Sequence, residues 1–385
     1  MKNTKISLFA PILAAFFVMG YIDLVGISAN HIKSDFGLSD TMTNLLGSLL
    51  FFWFLVLSVP TGMLMNKFGR RKTVALSVVI TTLAMLVPIF DYSFASIMLS
   101  FALLGIGNTL LQVSVNPLIA DIVPHDKLAS AITLGQFVKS IAAFATPVLV
   151  LFFAREFDNW RIIYPLLAAV SLVPSIWLAC VKIDESEPAR NSSFGECFAL
   201  LKNSAVAVLF CGILIHVGID VGVNITAPKI LIDRAGLPLS EAGYATSLYF
   251  LCKTPAAFAG AVVLAKMSPP KFFAASVAVM LSAVAALLFV SDKTAIFVCI
   301  ALAGIGNANI FSVIFSRALQ ILPERKNEIS GLMVMGIAGG GIFPLLMGIS
   351  SDLTGSQTGA IAVILLCVFY LCFVATKLGD GRKRA

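Results

Sequence analysis

Residues 92–120, YSFASIMLSFALLGIGNTLLQVSVNPLIA, run for 29 positions without one charged side chain. A helix needs only about 20 residues to cross a bilayer core. The apolar residues are continuous rather than alternating, which favours a helix, with its backbone bonds satisfied internally, over a barrel strand. The same uncharged character recurs at 74–90, 162–181, 272–291, 294–316 and 353–376. Across the chain 59% of residues are apolar and 12% charged, against roughly 45–50% and about 25% in soluble domains. Such a composition excludes a water-soluble protein. Twelve blocks emerge, near 7–30, 42–66, 73–91, 94–118, 129–153, 160–181, 204–228, 240–265, 271–291, 294–316, 329–351 and 356–376. The expectation is an all-α integral membrane protein.

Lysine and arginine in the connections orient such a chain, because they are retained on the cytoplasmic side. With the amino terminus inside, 18 basic residues fall in cytoplasmic segments and 6 in outer loops. Both termini are therefore expected in the cytoplasm of a multi-pass protein of the cell's inner membrane. This asymmetry accounts for the net charge of +7 without nucleic acid as a partner. Seven cysteines lie in or beside apolar blocks without metal-ligand spacing, and read as small buried hydrophobes. The amino-terminal block lacks a cleavage site before Asp23 and reads as the first span.

The chain also reads as a duplication. Gly105-Ile106-Gly107-Asn108 returns as Gly304-Ile305-Gly306-Asn307, Ile22-Asp23 as Ile219-Asp220, and Pro60 as Pro255, at shifts of 199, 197 and 195. Three matches in chain order at nearly one shift imply two related halves. The polar stretch 182–203 divides them, giving an amino-terminal six-helix bundle over 1–181, a cytoplasmic linker and a carboxy-terminal bundle over 204–385.

Ionisable residues inside the spans point to a site. Blocks three, six, nine and twelve carry none in their cores, whereas Asp23, Lys139, His216, Asp220, Lys253 and Arg317 sit in blocks one, five, seven, eight and ten. A central charge costs at least about 2.5–3.5 kcal/mol to insert, so it is expected to face a partner or a hydrated chamber. Asp23 and Asp220 are the candidates for a coupling cation, H+ or Na+; Lys139 and Lys253 balance charge, bind an acidic group, or form ion pairs that hold the bundle. Asn108, Gln112 and Asn116 recur every four residues and share one helical stripe. Their amides suit solute hydroxyls, the alternative being interhelical hydrogen bonding. Gln136 and Asn307 are further candidates, and at most one of Asn307 and Asn309 is expected to line the cavity. His216 lies one turn before Asp220 and Asn224 one turn after, a spacing for a relay or for packing. Pro60, Pro117, Pro147, Pro255 and Pro344, with Gly339, Gly340 and Gly341, are hinge candidates or static kinks.

A six-plus-six duplication with every third helix peripheral resembles the major facilitator superfamily. Gly62-Met63-Leu64-Met65-Asn66-Lys67-Phe68-Gly69-Arg70-Arg71-Lys72 is similar to that superfamily's signature between helices two and three, with Asn66 in place of its aspartate. The resemblance implies a gating role for Gly62, Gly69, Arg70 and Arg71. Within the superfamily the chain looks most like the fucose/proton symporter family of sugar transporters. The matching residues are Gln112 before Asn116-Pro117, Ser330, Val334-Met335, the triple glycine, and Gln136 three residues before Lys139. In the family an acid stands where Gln112 is, and its helix-one acid aligns nearer Gly26 than Asp23. The resemblance implies a secondary transporter of a small polar solute, a sugar or an acidic sugar derivative, working by alternating access as a cation-coupled symporter. An exchanger or exporter of organic anions or drugs is the alternative. Motifs for a membrane enzyme are absent, including His-Glu-x-x-His, Gly-x-Ser-x-Gly and nucleotide-binding glycines. No cofactor is expected; the partners are the solute and membrane lipid, and the chain is expected to act as a monomer.

Overall fold

The computed structural model describes residues 2–181, 183, 185 and 192–380; for some of these, Asp23 among them, only the backbone is described. Eleven helices among the described residues are long and apolar enough to cross a membrane, and a shorter apolar helix, Leu8–Ile22, precedes them. In chain order they are α1 (Leu8–Ile22), α2 (Leu49–Phe68), α3 (Arg70–Phe90), α4 (Phe94–Ile122), α5 (His125–Glu156) and α6 (Trp160–Leu178), then α7 (Ser204–Ala235), α8 (Tyr244–Leu264), α9 (Pro269–Leu287), α10 (Lys293–Ile321), α11 (Pro323–Thr354) and α12 (Thr358–Leu378). No strand occurs among the described residues.

Local chemistry sets the helix ends. Ser93 Oγ accepts from Ser96 N–H at 3.2 Å to start α4, Asn203 Oδ1 accepts from Ala205 N–H at 3.0 Å before α7, and Asp292 Oδ2 accepts from Ala295 N–H at 2.9 Å before α10. Each supplies an acceptor to an otherwise unpaired first-turn donor. Gly236 and Gly355 end α7 and α11 in the left-handed conformation, with φ of 64° at both.

Contacts divide the chain into two compact units. One holds Met1–Leu128, Gly135–Leu200 and Leu322–Met335; the other holds Ala129–Leu134, Leu201–Ile321 and Gly336–Ala385.

The prolines do not break the helices that carry them. Helix runs unbroken through Pro60, Pro117, Pro147 and Pro255. The irregular turns fall elsewhere: a 3-10 turn at Gly20–Asp23, a turn at Ala308 and Asn309 within α10, and a 3-10 turn at Gly336–Ala338 within α11. A proline cannot donate to the carbonyl four residues earlier, and in hydrocarbon that carbonyl has no water to turn to. Neighbouring hydroxyls meet this need three times. Ser100 Oγ donates to Ala84 O below Pro88 at 2.7 Å, Ser330 Oγ to Val113 O below Pro117 at 2.5 Å, and Thr246 Oγ1 to Asn224 O below Pro228 at 3.1 Å. Each bond also ties two helices of one unit together.

The repeated Gly-Ile-Gly-Asn motif does the same work in each unit. A Cβ on Gly105 would stand 2.7 Å from Trp53 of α2, and one on Gly304 2.7 Å from the Tyr249 carbonyl of α8. The second glycines face the next helix: Gly107 would meet Thr81 Oγ1 of α3 at 2.5 Å, and Gly306 the Ser276 carbonyl of α9 at 2.7 Å. The asparagine then reaches α1 in one unit and α7 in the other, through Asn108 Nδ2 to Met19 O at 2.7 Å and Asn307 Nδ2 to Asp220 Oδ1 at 3.0 Å.

Candidate functional site

The second unit contains a charge centre built from α7, α8 and α10. Asp220 Oδ1 accepts three donors: Lys253 Nζ at 2.6 Å, Tyr249 Oη at 2.6 Å and Asn307 Nδ2 at 3.0 Å. Tyr249 and Lys253 lie one turn apart on α8, so both side chains leave the same helical face toward α7. The carboxylate can only accept, so the amide nitrogen of Asn307 must face it. Asn307 Oδ1 is thereby left to accept from His216 Nδ1, 2.8 Å away, which assigns the ring proton to Nδ1. Asn307 Nδ2 also reaches Tyr249 Oη at 2.8 Å. The result is a continuous path from the imidazole through the amide to the carboxylate and ammonium.

Burial around this centre is uneven. Tyr249 and Asn307 are fully enclosed and His216 nearly so, while the Asp220 and Lys253 side chains keep 23% and 20% of their surface. The ion pair is therefore the part of the network that a diffusing ion or solute can meet. Asn224 donates to the Asp220 backbone carbonyl at 2.9 Å, and its Oδ1 is buried without a partner among the described residues. Asn309, two residues from Asn307, turns away and donates to Ala256 O at 3.1 Å.

In the first unit the α4 stripe is buried. Asn108 is committed to the α1 backbone at Met19, one residue before the Gly20–Asp23 turn. Gln112 Nε2 donates to Asn108 Oδ1 at 3.3 Å and Asn116 Nδ2 to Gln112 O at 3.2 Å, while Asn116 Oδ1 has no partner among the described residues. On α5, Gln136 Nε2 is buried with no partner among the described residues, and Lys139, one turn on, is partly exposed. The side chain of Asp23 lies outside the described residues.

A second polar cluster, also within the first unit, gathers the residues of the Gly62–Lys72 motif. Arg70 Nη1 pairs with Asp121 Oδ2 at 2.7 Å and Arg70 Nε donates to Asn327 Oδ1 at 2.7 Å. Lys326 Nζ pairs with the other oxygen of Asp121. Asn327 Nδ2 donates to Asn66 Oδ1 at 2.7 Å, and Asn66 Nδ2 to Glu328 Oε1 at 3.0 Å and Ser192 Oγ at 2.8 Å. Ser192 Oγ in turn donates to Glu328 Oε1 at 2.6 Å, and Arg325 pairs with the same oxygen at 3.2 Å. The linker contributes again at Glu185, whose two carboxylate oxygens accept the backbone N–H groups of Arg70 at 2.5 Å and Arg71 at 2.9 Å. Arg71 reaches the Val181 carbonyl through its guanidinium. Three cations, Arg70, Arg325 and Lys326, thus pair with two carboxylates, Asp121 and Glu328, while Glu185 holds the backbone N–H groups of Arg70 and Arg71. Glycines let the backbones close: a Cβ on Gly62 would stand 2.7 Å from Asn327 O, and one on Gly331 2.7 Å from Ser58 O. Cys197, from the short linker helix Phe194–Ala199, is buried beside this cluster. Burial, and then the charge of Glu328, push its thiol from 9.0 up to about 11.

Several of these residues escaped the sequence reading. Lys326, Asn327 and Glu328 counted as cytoplasmic loop because block eleven was begun at residue 329; α11 begins at Pro323, and all three are buried. A lysine, an asparagine and a glutamate in succession look like a solvated turn until Asp121 and Arg70 are placed beside them. Tyr249 was missed too, although its position one turn before Lys253 was a usable signal.

A multi-pass helical membrane protein with a partly open ion pair inside one unit and interrupted helices α1, α10 and α11 has the build of a solute carrier. The chain belongs to the Major Facilitator Superfamily, whose family model matches residues 12–239 and 209–384. As a member of that family of transporters it handles a small-molecule solute and is not an enzyme. A glucose/galactose transporter of Brucella abortus is 27% identical over 383 residues, covering 93% of this chain and 90% of that protein. Among solved structures, the superfamily transporter FucP in its outward conformation superposes with a TM-score of 0.85 at 18% identity, covering 96% of this chain and 98% of that one. The proton:xylose symporter XylE superposes with a TM-score of 0.77 at 12% identity, covering 98% and 96%.

Proposed function

We propose that this chain carries a sugar or a closely related small polar solute across the inner membrane by alternating access, coupled to protons through Asp220. The observation that carries this reading is the Asp220–Lys253 pair, held at 2.6 Å yet partly open. Protonating Asp220 releases the Lys253 ammonium, and that ammonium already stands where a sodium ion would bind the carboxylate. A proton is therefore the better coupling ion, reaching Asp220 from its open side, with His216 orienting Asn307 against the carboxylate.

The names of the Brucella protein, FucP and XylE support a sugar as cargo. Gln136 and Gln112 are the proposed hydroxyl contacts, and Lys139 and Lys253 are proposed to balance charge or to take an acidic group. Asn116 and Asn224, each with a buried unpaired oxygen, are proposed as secondary contacts. Asn108 is proposed to hold α1, and Asp23 to share the coupling role. The halves 1–181 and 204–385 are proposed as the two bodies that move, joined by the linker 182–203, with both termini in the cytoplasm. The cluster around Gly62, Gly69, Arg70 and Arg71 is the proposed cytoplasmic gate, and the chain is proposed to work as a monomer among lipids.

The experiment is uptake of radiolabelled glucose, galactose, fucose and a uronic acid into proteoliposomes without ATP, under an imposed pH gradient or sodium gradient. Acceleration by an inward proton gradient, lost in Asp220→Asn, is the expected result. Uptake driven by sodium alone, or unaltered coupling in Asp220→Asn, overturns the assignment.

A further inference from the structure

We propose that the turn between α8 and α9 is a binding site for one anionic phospholipid. A surface cavity of about 640 Å³ opens there, lined by Val262, Val263, Lys266, Met267, Ser268 and Lys271. Its size falls within the range of small-molecule sites, roughly 300–1,000 Å³. Every lining residue comes from one helical hairpin of the second unit, so the site is complete without any other part of the chain.

Three features select the ligand. First, Lys266 and Lys271 are exposed and have no carboxylate within ion-pair reach among the described residues, unlike Lys253, Lys293 and Lys326. Second, the Ser268 hydroxyl is shielded from solvent and has no hydrogen-bond partner among the described residues. A serine before a helix ordinarily accepts a first-turn N–H. Here Pro269 and Pro270 have none to give, and the Lys271 and Phe272 N–H groups go to the Ser268 carbonyl at 3.1 and 3.2 Å. The hydroxyl is thereby spare for a phosphate oxygen. Third, Val262, Val263 and Met267 are exposed beside the lysines at the end of a membrane-spanning helix. A soluble phosphate has no use for that apolar surface, whereas a phospholipid lays its acyl chains against it while its headgroup meets the lysines. In the proposed topology this turn lies at the cytoplasmic face, where anionic lipid is available.

The test uses purified full-length protein in a neutral detergent, titrated with phosphatidylglycerol, phosphatidylcholine, glycerol phosphate or inorganic phosphate and followed by thermal melting. Phosphatidylglycerol is expected to raise Tm saturably, with phosphatidylcholine and both free phosphates giving little. Lys266→Gln with Lys271→Gln is expected to weaken the phosphatidylglycerol half-saturation roughly twenty-five-fold, taking about fivefold for each lysine at an anionic surface. Arginine at both positions is expected to restore it. An unchanged half-saturation in the double glutamine variant overturns the site. A full shift with inorganic phosphate alone overturns the lipid as its occupant, and equal shifts with both lipids overturn the selectivity for charge.

Discussion

Asn66 Nδ2 sits 3.0 Å from Glu328 Oε1, joining the end of α2 to the first turn of α11 through an amide where the superfamily's signature has a carboxylate. At this contact the negative charge is thus carried by α11. Asn66→Asp removes the donor and sets two carboxylates at contact distance. Repulsion and the lost bond together are expected to destabilise the cluster by roughly 2–4 kcal/mol. Thermal melting checks this, and Glu328→Gln in the same chain is expected to restore most of the loss. An unaltered melt in Asn66→Asp would show that the pair bears no strain.

The Asp220 centre predicts an asymmetry between single and double variants. Lys253→Met leaves a carboxylate inside the membrane without its cation, at an expected cost of about 3–5 kcal/mol. Asp220→Asn with Lys253→Met removes both charges and is expected to recover stability while remaining unable to accumulate solute under an inward proton gradient. Melting curves together with counterflow and gradient-driven uptake separate these outcomes.

Cys197 offers a pH readout of the cluster it abuts. An unfolded thiol loses its proton near pH 9, but in the folded chain burial and the Glu328 charge hold the proton until about 11. The stability contributed by the neutral thiol is complete below pH 9 and lost as pH rises from 9 to 11. Maleimide labelling of Cys197 at pH 7–8 is accordingly expected to be slow, and to quicken in Asn66→Asp as the cluster loosens. Equal labelling rates in the two proteins would place the thiol outside the moving part.

Ser330→Ala tests the proline arrangement. Without the hydroxyl, the Val113 carbonyl below Pro117 has neither its helical donor nor water, so a loss of about 1–3 kcal/mol is expected in thermal melting. Ser330→Thr, which keeps the hydroxyl, is expected to melt close to the parent chain.

Gln136→Ala is expected to weaken solute affinity with little change in Tm, since its amide nitrogen makes no protein bond to lose. Binding by thermal shift or scintillation proximity is the check. A lowered Tm with unaltered affinity would make Gln136 a packing residue.

How much of this was legible in the sequence depended on the range of the interaction. Hydrocarbon thickness acts on contiguous residues, so blocks such as 92–120 declared the spans directly. The Gly-Ile-Gly-Asn repeat was legible as a duplication because both copies serve the same neighbours. Asp220 and Lys253 stood out as charges in apolar spans, but nothing in their 33-residue separation stated that they bond each other. The prolines left hinge and static kink open because the atoms that repair each gap belong to other helices, as Ser330 does for Val113. The breaks at Gly336–Ala338 and at Ala308 and Asn309 carry no proline at all. Lys326, Asn327 and Glu328 were hidden for the opposite reason: their composition is that of an exposed turn, and only Asp121, Arg70 and Asn66 make them interior.

Where α2 meets the start of α11, Gly62 and Gly331 each lie against the other helix's main chain. A seam of bare backbone has no rotamers to freeze when it shuts and none to thaw when it parts. In the proposed gate each turnover would remake the same fit at little entropic penalty, leaving the surrounding charges to decide how long it stays shut. Even alanine at either glycine would wedge it ajar, so a leak rather than a blockage is the failure to expect there.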